Sequence, residues 1–167
     1  MVAGNKGDAV AGRTTAERKS DREMVIMRTF NAPARLVFEA WTQAELFRQW
    51  WVPKSFGITL LSCEMDVRVG GGYRLVFAAE PEPMAFFGKY LEVTPPSKLK
   101  WTNEESPEGA VTTVTFEERD GSTLVVMHEL YPSKEALEAQ AGASAGMQET
   151  FAQLDQLLSM GPTSRPD

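Results

Sequence analysis

The sequence predicts an α+β domain in which a curved antiparallel sheet of about seven strands carries one long helix across it. Three observations predict it. Turn signals recur at short intervals between residues 58 and 131, at Gly70-Gly71-Gly72, Pro81-Glu82-Pro83, Pro95-Pro96, Pro107-Glu108-Gly109 and Asp120-Gly121, as an antiparallel meander requires. Beyond them Leu137, Ala141, Ser144, Met147, Phe151, Leu154 and Leu158 recur at helical spacing. The 167 residues, 43% of them hydrophobic, can bury one ordinary core without disulfide or metal staples.

Residues 1–22 are rich in Gly, Ala, Thr and mixed charge, too poor in large apolar groups to offset their ordering entropy. They are expected to form a flexible tail, with room for a transient helix over Thr15–Glu23. The folded domain is expected over 23–160. Glu23–Phe30 reads as a first strand. Asn31 then caps a helix over Ala34–Trp41, with Pro33 near its first turn. Thr42 caps a second short helix, Gln43–Trp50, with Glu45 placed as in a capping box, and Pro53 stops it. Six strands follow near 58–66, 72–79, 84–93, 98–104, 111–119 and 122–131, and Asp120-Gly121 is the sharpest hairpin signal. Ser133 caps the last helix, which runs to about Met160 before Gly161-Pro162. Along its stripe small residues (141–146) give way to bulky ones, so it either approaches the sheet closely or leaves a void. Residues 161–167 form a second tail.

Composition removes several function classes. With one cysteine, Cys63, and one histidine, His128, neither a zinc site nor a disulfide framework can be assembled from Cys and His, and no cofactor is expected. A formal charge of −6 without a dense Lys/Arg block argues against nucleic acid. No run of about 18 apolar residues marks a membrane span. No signal-like segment opens the sequence, so a cytoplasmic location is expected. A catalytic triad lacks a Gly-x-Ser-x-Gly elbow, and the triple glycine lacks the Lys-Ser/Thr of a phosphate loop. Cys63, in a strand-like run with no basic flank, reads as a small buried hydrophobe. Asp66 and Arg68 are expected to pair across the turn at Gly70 and Gly71, a structural role.

The order of motifs resembles one known family. Phe30-Asn31-Ala32-Pro33-Ala34 is followed by Val37-Phe38-Glu39-Ala40-Trp41-Thr42 and Trp50. Asp66-Val67-Arg68-Val69-Gly70-Gly71 comes next, then Phe87-Gly88-x-Tyr90-Leu91-Glu92-Val93-x-Pro95-Pro96-x-x-Leu99-x-Trp101-Thr102. Gly121-Ser122-Thr123-Leu124 leads to His128, and Gly146 opens the amphipathic end of the last helix. From about Met24 to Leu158 this is similar to the family related to the C-terminal domain of the activator of heat-shock-protein ATPase, within the START and birch-pollen-allergen superfamily. The sequence departs at Pro81-Glu82-Pro83, where Asp-Gly is frequent, and at Met147, where Trp is frequent.

The resemblance implies a helix-grip fold with a cavity between the long helix and the concave sheet face. Members bind hydrophobic or polycyclic molecules, some relatives are cyclases or hydrolases, and the name-giving domain assists a chaperone. In the strand Leu124–Leu130 both faces look apolar, and the resemblance favours Leu124, Val126 and His128 pointing inward. His128 is then either a polar anchor or acid/base in the cavity, or a residue tied to a neighbouring group near the strand end. Trp50, Trp51 and Phe56 fall at the expected cavity mouth, while a bulge in Phe86-Phe87-Gly88 would decide how Tyr90 faces. The expected lining is Trp51, Phe77, Tyr90, Trp101, His128, Met147 and Phe151, with His128 and Tyr90 orienting polar groups. The expected partner is a small hydrophobic or aromatic ligand. Two alternatives stand beside it: an enzyme using His128 as acid/base, and a chaperone-cofactor or regulatory module. A homodimer is compatible with each.

Overall fold

Eight antiparallel strands form one sheet in the computed structural model, which describes residues 13–140 and 143–160. In chain order they are β1 Thr15–Arg18, β2 Glu23–Phe30, β3 Leu60–Met65, β4 Gly72–Phe77, β5 Met84–Thr94, β6 Lys98–Thr102, β7 Val111–Arg119 and β8 Ser122–Leu130. They lie side by side as β1-β2-β8-β7-β6-β5-β4-β3. Between β2 and β3 come α1 (Ala34–Thr42), α2 (Ala44–Trp50) and a 3-10 turn at Lys54–Phe56; α3 (Lys134–Ala139) and α4 (Ala143–Ser159) follow β8. The α+β layout of a sheet gripping a C-terminal helix is the predicted one. No helix among the described residues is long and apolar enough to cross a membrane.

Four local expectations are corrected. The tail expected over residues 1–22 contains β1, whose exposed side chains left no hydrophobic signal; backbone pairing from Thr15↔Met27 to Arg18↔Met24 defines it. Residues 1–12 and 161–167 of the expected tails lie outside the described residues. Asn31 does not cap α1: the Glu118 carboxylate, reaching over from β7, accepts from the Ala34 N–H at 2.9 Å. Thr42 ends α1 rather than capping α2, its hydroxyl donating back to the Phe38 carbonyl at 2.9 Å. The single last helix is described as two. Ser133 caps α3, accepting from Ala136 N–H at 3.0 Å, and Leu137 packs with Ala110, Tyr131 and Ala136 in a small separate cluster. Of the predicted stripe, Ala141 lies outside the described residues, and Phe151, Leu154 and Leu158 are buried on α4.

The main core lies where α1 covers β7 and β8 and α4 covers β2, with α2 packed against α1, α4 and β3. Phe151 meets Phe30 edge-on at 5.6 Å, and Trp41 meets both Trp50 and Phe116 edge-on, a geometry the aromatic quadrupole favours. Arg28 also points inward from β2 and is 6% exposed. Its guanidinium reaches Asp155 on α4 at 2.8 Å and sits 5.6 Å from the Phe30 ring. Polar pairing of its two terminal nitrogens thus offsets part of the desolvation of that charge, Nε having no partner among the described residues, and ties α4 to the sheet.

The facing of β8 is opposite to the expected one. Thr123, Val125 and Met127 are buried, whereas Leu124, Val126 and His128 are only half-buried. The two-residue turn at Asp120-Gly121, with φ 54° and 84°, brings Arg119 opposite Ser122. That register sets Val114 against Met127 and Phe116 against Val125, so the apolar residues of β7 and β8 share the inner face.

Candidate functional site

Away from α4, the half of the sheet formed by β3–β6 is not filled. A cavity of about 370 Å³ lies between its inner face and the aromatics of α1 and α2, within the roughly 300–1,000 Å³ range of small-molecule sites. Tyr73, Leu75 and Phe77 alternate along β4, and each borders it. Met65 of β3 and Phe86 of β5 extend the same wall. Trp41, Phe47 and Trp51 form the opposite one, with Phe47 and Trp51 stacked at 4.8 Å and 26°.

Backbone geometry holds Tyr90 and Trp101 at the centre. Tyr90 pairs with Trp101 across β5 and β6, and the register then shifts between Tyr90 and Glu92. The bulge is therefore at Leu91 rather than at Phe86-Phe87-Gly88. On its other side Tyr90 is clamped by the predicted turn: Gly70 N–H donates to the Tyr90 carbonyl at 2.9 Å, and Tyr90 N–H to the Gly71 carbonyl at 2.8 Å. A Cβ on Gly71 would stand 2.1 Å from the Asp66 carbonyl oxygen, so only glycine fits. Asp66 and Arg68 pair at 3.0 Å on the surface beside this turn. Gly88 serves the same purpose nearby, since a Cβ there would lie 1.9 Å from the Thr102 carbonyl oxygen.

Of the residues expected at a mouth only Trp51 borders the cavity, and polar residues on the flank of α4 hold the segment that carries it. Gln153 donates to the carbonyls of Trp50 and Val52, both at 2.9 Å, and the Thr150 hydroxyl donates to that of Trp51 at 3.3 Å. The Glu149 carboxylate accepts from Ser55 N–H and hydroxyl, and these bonds hold its pKa below the usual carboxylate range. The open C-terminal carbonyls of α2 are thereby satisfied by side chains, which positions Trp51 and sets Phe56 against Gly146.

One end of the cavity is polar. Glu129 of β8 enters on the inner face, and the Tyr131 hydroxyl donates to its carboxylate at 2.9 Å. Burial is the main influence on Glu129 and pushes its pKa up, against the lowering effect of the Tyr131 hydrogen bond. The β6–β7 loop borders this end with Asn103, Glu105 and the exposed Glu108. Asn103 shapes that loop by donating to the Ala110 carbonyl at 2.7 Å and the Thr112 hydroxyl at 3.0 Å. Tyr73 donates to the Thr102 carbonyl at 2.8 Å. Tyr90, 4% exposed, has no hydrogen-bond partner for its hydroxyl among the described residues. Burial raises the pKa of both phenols, so they stay neutral.

Four of the seven expected lining residues, Trp51, Phe77, Tyr90 and Trp101, border this cavity. The other three lie elsewhere. Phe151 is fully buried in the main core, and Met147 packs on that core's edge, because α4 lies over β2 beside the cavity rather than across it. His128 is on the outer face, its Nε2 2.9 Å from a Glu23 oxygen, with the two side chains 33% and 39% exposed. This is the strand-end tie to a neighbouring group; the carboxylate partner that acid–base chemistry would want is present but has no cavity behind it. Sequence reasoning missed Glu129, Tyr131, Asn103 and Trp41.

An antiparallel sheet that grips a C-terminal helix and leaves an aromatic cavity at one end defines a helix-grip domain of the START-like type. The family model of the Activator of Hsp90 ATPase homolog 1-like protein matches residues 31–159, and the chain belongs to that family. Among solved structures it is similar to a protein from Rhodobacter sphaeroides, with a TM-score of 0.81 and 22% identity over 89% of this chain and 99% of that one. A Staphylococcus epidermidis protein is 28% identical, with a TM-score of 0.72 over 87% and 94% of the two chains. An AHSA1-like protein from Aeromonas hydrophila aligns over 86% and 98%, with a TM-score of 0.67 and 19% identity. No curated protein matches the chain by sequence. Fold and family together support a ligand-binding or regulatory domain in general.

Proposed function

We propose that this protein binds a small, largely apolar molecule in the cavity between β3–β6 and the α1–α2 aromatics. The observation that carries the reading is the cavity itself: about 370 Å³, walled by Trp, Phe, Tyr, Leu and Met side chains and polar at one end. Apolar walls supply affinity in proportion to the ligand surface they remove from water, and the few polar groups fix orientation. A regulatory module working only through its surface has no need of such a space. Acid–base catalysis by His128 finds no support in a side chain that faces away from it. Native mass spectrometry of the protein purified from cells tests the reading, and a retained small-molecule mass that denaturation releases is expected. A bare protein mass, together with no saturable change in tryptophan fluorescence across a panel of aromatic and lipid-like compounds, would refute it.

A further inference from the structure

The charges around the cavity are one-sided. Glu105, Glu108 and Glu129 border it, and no lysine, arginine or histidine among the described residues does. The rim alone would be an ordinary solvated acidic loop, but Glu129 is different in kind. It projects from the inner face of β8, opposite Met24 on β2 and Thr112 on β7. Neither neighbour is ionisable. The β6–β7 loop adds Asn103, Glu105, Ser106 and Glu108 to the lining, of which only the glutamates are ionisable, and His128, next in the chain, is on the opposite face. Among the described residues the Tyr131 hydroxyl is its single hydrogen-bond donor. A carboxylate has about four acceptor positions, so most of its capacity is unused.

A second, independent group points to an occupant of the same space. Tyr90 is buried, borders the cavity, and has an unpartnered hydroxyl among the described residues. The strand registers place Tyr90, Trp101, Thr112 and Glu129 in one row across β5, β6, β7 and β8. At about 4.8 Å per strand, Tyr90 and Glu129 are roughly 14 Å apart at their Cα atoms. The row runs from a free phenol, over an indole, to an under-coordinated carboxylate.

Resting on the ligand-binding reading, we infer that the cavity takes a molecule with an aromatic or similarly flat apolar body and one protonated nitrogen. The ammonium docks on the Glu129 carboxylate beside the Tyr131 hydroxyl, and the body extends over Trp101 toward Tyr90. An ammonium supplies the N–H donors that Glu129 lacks, and its charge is also favoured by the aromatic walls. A fatty acid or aryl carboxylate would instead bring like charge to an end already carrying three glutamates.

Three probes with one skeleton test this: naphthylethylamine, naphthylethanol and naphthylpropanoate, each titrated at constant ionic strength and followed by tryptophan fluorescence. The amine is expected to bind on the order of tenfold or more tighter than the alcohol, as a charge-assisted hydrogen bond allows, and the carboxylate most weakly. In Glu129→Gln the amine's advantage disappears while alcohol binding is retained, which also certifies the variant's fold. Should that variant fail to fold, Glu108→Gln at the exposed rim is expected to weaken the amine about two- to threefold, more at low salt, with the alcohol unchanged. Alcohol or carboxylate binding as tight as the amine, or an amine preference that survives Glu129→Gln, overturns the inference and leaves the ligand-binding reading standing. Absence of saturable binding by all three overturns the inference, and a bare native mass with a silent wider panel overturns the ligand-binding reading as well.

Discussion

Enlarging Leu75 to Phe distinguishes a cavity from a filled core. Leu75 is 4% exposed, faces inward between Cys63 and Phe86 on the neighbouring strands, and borders the cavity. In a packed interior the extra ring atoms would force neighbours off their rotamers, at a cost of about 1–3 kcal/mol. Here they can enter a space of about 370 Å³ and gain apolar burial, so the expected cost of Leu75→Phe is below about 1 kcal/mol. Val114→Phe is the matched control. Val114 is 0% exposed, paired with Leu99 and Met127, and no part of the cavity wall, so the full 1–3 kcal/mol, roughly, is expected there. Urea unfolding read as a midpoint shift at constant slope gives both values. For a domain of this size each 1 kcal/mol also moves Tm by about 2–4 °C. Leu75→Phe should in addition weaken naphthylethylamine at least about tenfold, through lost space. If Leu75→Phe destabilises as much as Val114→Phe, the space is not there and the reasoning fails.

The titrating groups give two signed predictions. Burial raises the folded pKa of Glu129 above its unfolded value, so its contribution to stability is whole below the ordinary carboxyl range and is lost as pH rises through the raised pKa. Glu129→Gln should therefore match the wild type in Tm near pH 4 and exceed it increasingly toward pH 8; a difference that stays flat would contradict this. Glu23 is the reverse case, because hydrogen bonds from His128 and then Ser20 lower its pKa. Its contribution is present above the ordinary carboxyl range and lost as pH falls through the lowered value, so His128→Ala should shrink the acid-side loss of Tm. That variant should leave probe affinity within about twofold, as expected of an exposed pair outside the cavity. Asp155→Ala, by leaving the Arg28 guanidinium buried without its carboxylate, should cost about 1–3 kcal/mol in urea unfolding, and the double variant Arg28→Met/Asp155→Leu should recover much of it.

Much of the fold was legible in the sequence because its signals are local and periodic. Regular turns marked six of the strands, Ser133 its helix start, and the Asp66–Gly71 motif a turn that only glycine can complete. The site was half legible. Phe77 and Trp101 follow from strand alternation, yet the inner face of β8 was misjudged although the information was present. Val114 and Phe116 alternate with threonines in β7, and a two-residue turn at Asp120-Gly121 forces their partners to be Met127 and Val125. Propagating that register one step further brings Glu129 inside and sends His128 out. What could not be read locally are contacts made between distant segments: Glu118 capping α1, the Gln153 and Glu149 side chains holding the segment after α2, and β1, which has no large apolar residue to announce it. Where α4 lies on the sheet is likewise a packing outcome, and it decides that Phe151 is core while Trp51 is cavity wall.

Chemical-shift mapping of isotope-labelled protein during a naphthylethylamine titration tests the central claim most directly. The indole N–H resonances of Trp51 and Trp101 and the methyl resonances of Met65 and Leu75 should shift together along one saturable curve, while Met27 and Val126 on the outer face stay in place. Shifts confined to the outer face or to the exposed β3 edge, with the cavity resonances unmoved, would contradict it.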